Sequence, residues 1–119
     1  MRIGILDNSK SFLPEKFAYE KYLVKKNHKV IISKQINDLV LCDYIIMFAG
    51  FFVFHPKTKA KIIFDYASMS TPPFAKIKDF MKTKLSFKPY CRIFNSHYIK
   101  KKYNFSDGTP YLIRTAGID

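Results

Sequence analysis

Tyr44-Ile45-Ile46-Met47-Phe48-Ala49-Gly50 is apolar at every strand position and stops at a small-residue turn. A strand with one wet face alternates apolar and polar residues, whereas a run that is apolar throughout is covered on both faces, as in a parallel sheet flanked by helices. The same reading holds on either side of it. Ile3-Gly4-Ile5-Leu6 ends at Asp7-Asn8-Ser9, and Val30-Ile31-Ile32 follows. Ile62-Ile63-Phe64 ends at Asp65, Tyr90 to Phe94 ends at Asn95-Ser96, and Tyr111-Leu112-Ile113 comes last.

Helical patterns separate these runs. Pro14-Glu15 suits a first helical turn, since proline has no N–H to lose there and glutamate favours the positive end of the helix dipole. Phe17, Tyr22, Leu23 and Val24 then read as an apolar stripe, closed by Lys25-Lys26 and by Asn27 as a C-cap residue. Leu39-Val40-Leu41 reads as a connector, and Phe51-Phe52-Val53-Phe54 suits a strand or a helical turn equally. Pro72-Pro73 open a further helix, with Phe74, Ile77, Phe80 and Met81 on one face and Lys76, Lys78, Lys82 and Lys84 on the rest. Ser96 reads as the N-cap of a helix through Tyr103, and Ser106-Asp107-Gly108 as a turn. The expected fold is α/β: one domain over residues 1–119, an open doubly wound, mostly parallel sheet of about six strands with helices on both faces.

The chain carries 21 Lys and Arg against 9 Asp and Glu, a formal charge of +12, and most of the excess lies beyond residue 50. Such a field attracts anions: nucleic acid, the phosphates of nucleotide-sugars or lipids, or an acidic membrane surface. Apolar residues make up 48% of the chain, which excludes intrinsic disorder. Cys42 and Cys91 stand far apart without metal-ligand spacing and read as free, buried thiols. No apolar run approaches a membrane span and no signal peptide opens the chain, so the expectation is a cytoplasmic protein.

In a doubly wound sheet ligands gather at the carboxyl ends of the strands. The polar residues at those exits are the candidate binding set: Asn8, Ser9 and Lys10 after the first strand, Gly50 after the third, Asp65 and Tyr66 after the fourth, Asn95 and Ser96 after the fifth. The first loop contains no glycine, so neither a dinucleotide fingerprint nor a P-loop is present. His28 reads as solvent-facing, while His55 and His97 lie in or near loops without a diagnostic partner. No catalytic constellation, metal cluster or cofactor motif is visible, and no recognised nucleic-acid motif accompanies the basic charge. The lysines of the Pro73–Lys84 helix, with Lys57, Lys59, Lys61 and Lys100-Lys101-Lys102 extending them, suit docking on an anionic bilayer.

Arg92-Ile93-Phe94-Asn95-Ser96-His97-Tyr98-Ile99, the charged helix to Tyr103, and Tyr111-Leu112-Ile113-Arg114 leading to Gly117-Ile118-Asp119 together resemble a stretch of the GT-B glycosyltransferases, family 4 in particular. The opening Met1 to Leu6 and Ile62-Ile63-Phe64-Asp65-Tyr66 are similar to that family's first strand and its fourth-strand exit. The resemblance implies the N-terminal, acceptor-side half of a two-domain enzyme, with Gly117 and Asp119 at the interdomain hinge. It implies a glycan or lipid-linked acceptor held by this half, and a nucleotide-sugar donor held mainly by a second domain. The full protein would then be a glycosyltransferase, peripheral on the inner membrane face, and this chain alone would not catalyse transfer. Where many members place a histidine after the fourth strand, this chain has Ala67-Ser68. The competing expectation is a non-enzymatic basic α/β module that binds nucleic acid.

Overall fold

The apolar runs all become strands, and all of them run the same way. The computed structural model describes residues 1–7, 14–48, 55–66, 87–94, 96–103, 105 and 107–113. Six strands, β1 (Arg2–Leu6), β2 (Lys29–Ser33), β3 (Tyr44–Phe48), β4 (Lys61–Tyr66), β5 (Cys91–Phe94) and β6 (Tyr111–Ile113), form one parallel sheet in the order β2-β1-β3-β4-β5-β6. The two described α-helices are α1 (Pro14–Lys25) and α2 (His97–Tyr103), with a 3-10 turn at Ile36–Leu39.

Burial explains why the runs lack alternation. In the interior strands β1 and β3 both faces are covered: Ile3, Ile5, Ile46 and Phe48 pack on one side, and Leu6, Ile45 and Met47 on the other. The edge strands β2 and β6 are only half-covered, and Leu112 is 62% exposed. The first crossover places α1 on the Ile3–Ile5 face, where Tyr19 and Leu23 pack. The second crosses the opposite face, where Leu39 of the 3-10 turn is sealed against Leu6, Cys42 and Ile45, and α2 adds Ile99 and Tyr103 to that same layer. The sheet is thus doubly wound, a Rossmann-like α/β fold. Its order reverses between β1 and β3, the point at which such sheets take ligands.

Local signals behave as their chemistry requires. Asn27 adopts a left-handed φ of 68° as the residue after the α1 C-cap. The His28 N–H donates to the Leu23 carbonyl at 3.0 Å and the Asn27 N–H to that of Val24 at 3.0 Å, a Schellman ending. Ser96 caps α2, its Oγ accepting from the Ile99 N–H at 3.2 Å. The stripe expected on α1 needs correction: Phe17, Tyr22 and Val24 are exposed, and the helix buries Tyr19 and, partly, Leu23. The Tyr19 hydroxyl finds the Asp65 carboxylate, and the i,i+4 spacing carries Leu23 onto the same line. His28 is half-buried rather than solvent-facing. Strand β4 extends through Tyr66, so Asp65 and Tyr66 lie inside the strand rather than beyond its end. The Pro73–Lys84 helix and Phe51–Phe54 fall outside the described residues.

Gly4 marks a tight approach in the core. A Cβ there would stand 3.1 Å from Leu39 Cδ2 and 3.2 Å from Cys42 Sγ. Leu39 is fully enclosed and has little room to retreat, so Gly4→Ala should destabilise the fold by about 1–2 kcal/mol. Urea denaturation checks this, with a lower midpoint expected at unchanged slope.

Candidate functional site

Because the strands are parallel, Leu6, Ser33, Phe48, Tyr66, Phe94 and Ile113 all end on one rim. Beside the switch point the Asp7 N–H donates to the Ser33 carbonyl at 2.8 Å, tying the exits of β1 and β2 together. Ser33 Oγ in turn donates to Asp38 Oδ2 at 2.5 Å and accepts from the Gln35 N–H at 3.1 Å. On the β5 side the rim continues through Ser96 into α2.

Of the residues proposed from the sequence, Asp65, Tyr66 and Ser96 are described, and they do not converge. Asp65 points to the α1 face, where it is fully buried and accepts the Tyr19 hydroxyl. Tyr66 points to the opposite face, and Ser96 is occupied as a helix cap. Asn8, Ser9, Lys10, Gly50 and Asn95 lie outside the described residues, as do Lys76, Lys78, Lys82, Lys84, Gly117 and Asp119.

The most developed polar constellation among the described residues is centred on Arg92, a charge within the apolar run Tyr90 to Phe94. Arg92 stands in register with Phe64 on one side and Tyr111 on the other, 4% exposed in a layer of aromatic rings. Its guanidinium grips Asp107 with both terminal nitrogens, at 2.8 and 2.9 Å. Its Nε donates to the Tyr66 hydroxyl at 3.4 Å, and its Cζ lies 3.6 Å from the centre of the Phe105 ring. Asp107 also accepts the Thr109 N–H at 3.1 Å, closing a turn that Gly108 completes at a φ of 78°. Tyr66 itself stacks on Phe94 at 5.1 Å and 14°, with Tyr103 and Phe105 at 5.3 and 5.5 Å.

The electrostatics follow from this enclosure. Hydrogen bonding by Arg92 holds the Asp107 carboxyl far below the usual carboxylate range, against the opposing effect of burial. Burial works against the charge on Arg92, yet the hydrogen bonds with Asp107 and Tyr66 outweigh it and raise its pKa. Burial pushes the Tyr66 phenol up to about 12, although Arg92 acts to lower it. The group is therefore a closed cation–anion–phenol set with no titration near neutrality, suited to locking the α2–β6 connection rather than to proton transfer. Beside it opens a cavity of about 490 Å³, lined by Arg92, Phe94, Lys100, Phe105 and Tyr111, with Lys100 Nζ 4.5 Å from the centre of the Tyr111 ring. Its lining joins the turn before β6 to Phe94 at the end of β5 and Lys100 of α2.

Both cysteines are free, Cys42 buried and Cys91 half-buried, and burial raises both thiol pKa values, so neither is an activated nucleophile. His55 is exposed, with Nδ1 2.7 Å from the Pro56 carbonyl oxygen and its ring against Phe87; His97 is exposed on the first turn of α2. Among the described residues, no group of three His, Cys, Asp or Glu could hold a metal ion, and no helix is long and apolar enough to cross a membrane. Compared with protein-family models, with curated proteins and with solved structures, the chain matches none.

Proposed function

We propose that this chain is the acceptor-side Rossmann-like domain of a GT-B glycosyltransferase, holding a glycan or lipid-linked acceptor at the carboxyl rim of its sheet. The observation that carries this reading is that all six strands are parallel in a doubly wound order, so that every strand exit opens on one edge. The Ser96-capped helix after β5 supports the pattern on which the sequence resemblance rests. A net charge of +12 suits an acceptor or donor bearing phosphate. In this reading a second domain supplies most of the nucleotide-sugar contacts, and the chain contributes positioning and positive potential rather than an acid–base residue. The protein works in the cytoplasm, peripherally on the inner membrane face when its acceptor is lipid-linked.

Equilibrium binding tests this. The purified chain should bind a polyprenyl-phosphate-linked oligosaccharide in detergent micelles more tightly than the same micelles without it, and should show little affinity for nucleotide-sugars. Tight oligonucleotide binding with a steep salt dependence and no response to the glycolipid would instead identify a nucleic-acid module.

A further inference from the structure

The opposite edge of the sheet, at the amino ends of the strands, has a distinct chemistry. β1, β2 and β4 each begin with an exposed cation, namely Arg2, Lys29 and Lys61, and Arg2 and Lys29 are direct partners in the register. The segment leading into β4 continues the series. From residue 57 to residue 61 exposure alternates, so Lys57, Lys59 and Lys61 face outward while Thr58 and Ala60 turn in. This ladder is pinned in place. Thr58 Oγ1 donates to the Val40 carbonyl at 2.5 Å and accepts the Ala60 N–H at 3.1 Å, and the Lys61 N–H donates to the Asp43 carbonyl at 3.0 Å.

The ladder lines a concavity of about 750 Å³ together with Met1 and Leu41, 60% and 83% exposed, the latter in the turn before β3. Tyr44 and Tyr90 pack edge to face at 5.9 Å beside them, with Lys61 Nζ 4.8 Å from the centre of the Tyr90 ring. Asp43 is the one carboxylate among the described lining residues, and its Oδ2 already accepts the Arg2 N–H at 2.8 Å.

We propose that this amino-end edge docks on an anionic lipid bilayer, the lysine ladder contacting headgroup phosphates while Leu41 and Met1 enter the acyl boundary. Each half of the surface needs the other: lysines alone suit any polyanion, and a lone exposed leucine is ordinary, but a fixed cation row beside exposed apolar side chains and tyrosines matches the layered chemistry of a bilayer surface. A free phosphate would use the cations and leave Leu41 and Met1 in water. Nucleic acid would use the cations and stack bases on free ring faces, leaving Leu41 and Met1 in water, whereas here Tyr44 and Tyr90 pack edge to face with Lys61 over both rings.

Vesicle flotation tests this without donor or acceptor, so its failure leaves the glycosyltransferase reading to its own test. The full chain should float with vesicles of phosphatidylcholine and phosphatidylglycerol but not with phosphatidylcholine alone. Lys57→Gln/Lys59→Gln/Lys61→Gln should weaken that binding on the order of a hundredfold, roughly fivefold per lysine. Leu41→Ser should weaken it several-fold while leaving its salt dependence unchanged; both variants alter exposed side chains, and thermal melts confirm that they fold. No flotation of the wild-type chain, equal flotation of the triple variant, or a Leu41→Ser chain indistinguishable from wild type would overturn the proposal, as would competition by free pyrophosphate that fully replaces vesicle binding.

Discussion

Tyr66→Ala will destabilise the domain by about 4 kcal/mol, the largest single-residue loss expected among the described positions. Tyr66 is 1% exposed and joins three elements and a loop: it stacks on Phe94 of β5, meets Phe64 of its own strand, and touches Tyr103 of α2 and Phe105 beyond it. Truncation removes the ring contacts together and leaves a void between sheet and helix that the surrounding rings cannot close without leaving their rotamers. It also strips Arg92 of the hydroxyl that accepts its Nε–H. Against a total stability of about 5–15 kcal/mol, such a loss is severe. Tyr66→Phe keeps the ring and loses only the long hydrogen bond, so about 1 kcal/mol is expected. Urea midpoints of the two variants separate the packing contribution from the polar one.

Asp107→Ala will cost about 3 kcal/mol, because it leaves the enclosed Arg92 guanidinium without a counter-charge. The figure sits at the low end for buried pairs, since the Asp107 side chain is 35% exposed and water replaces part of what is lost. The double variant Arg92→Met/Asp107→Ala should recover at least 1 kcal/mol relative to the sum of the single changes, because the methionine stem keeps the contact with Phe105 and no charge is stranded. Strict additivity would show that the fork carries no coupling energy. The pair also sets a pH signature. The folded carboxyl titrates below its unfolded value of about 3.9, so its stabilisation is complete above roughly pH 5 and fades as acid takes the solution below about pH 4. The stability gap between wild type and Asp107→Asn should therefore be wide at neutrality and narrow on acidification. A gap that widened in acid would contradict the geometry.

What could be read from the residues, and what could not, divides along physical lines. The parallel sheet was legible because β1, β3 and β4 are covered on both faces, and two-sided burial writes itself as an unbroken apolar run. Helix ends were legible because Asn27 and Ser96 act on backbone groups within a few residues of themselves. The buried face of α1 was not, since Phe17 and Val24 outweigh Tyr19 in hydrophobicity and Tyr22 equals it, and what selects Tyr19 is the Asp65 carboxylate 46 residues away. The same limit hid the Arg92 fork. A charge inside the apolar run Tyr90 to Phe94 is the visible signal, but Asp107 becomes its partner only after α2 brings the chain back. Of the candidate rim, Asp65 and Tyr66 were read as an exit and proved to be the last strand residues, each facing into a core layer. The lysine ladder shows alternation at period two, yet only the pinned loop tells which side faces water.

The most direct test of the acceptor-domain reading is a backbone amide NMR titration of the isotope-labelled chain with a polyprenyl-phosphate-linked oligosaccharide. The account predicts that the shifts cluster at the carboxyl ends of the strands, at Asp7, Tyr66 and Ser96, and leave the Lys57–Lys61 edge unmoved when empty micelles are subtracted. Shifts confined to that amino-end edge, or to the Lys100–Tyr111 cavity, with the carboxyl rim silent at saturating glycolipid, would contradict it.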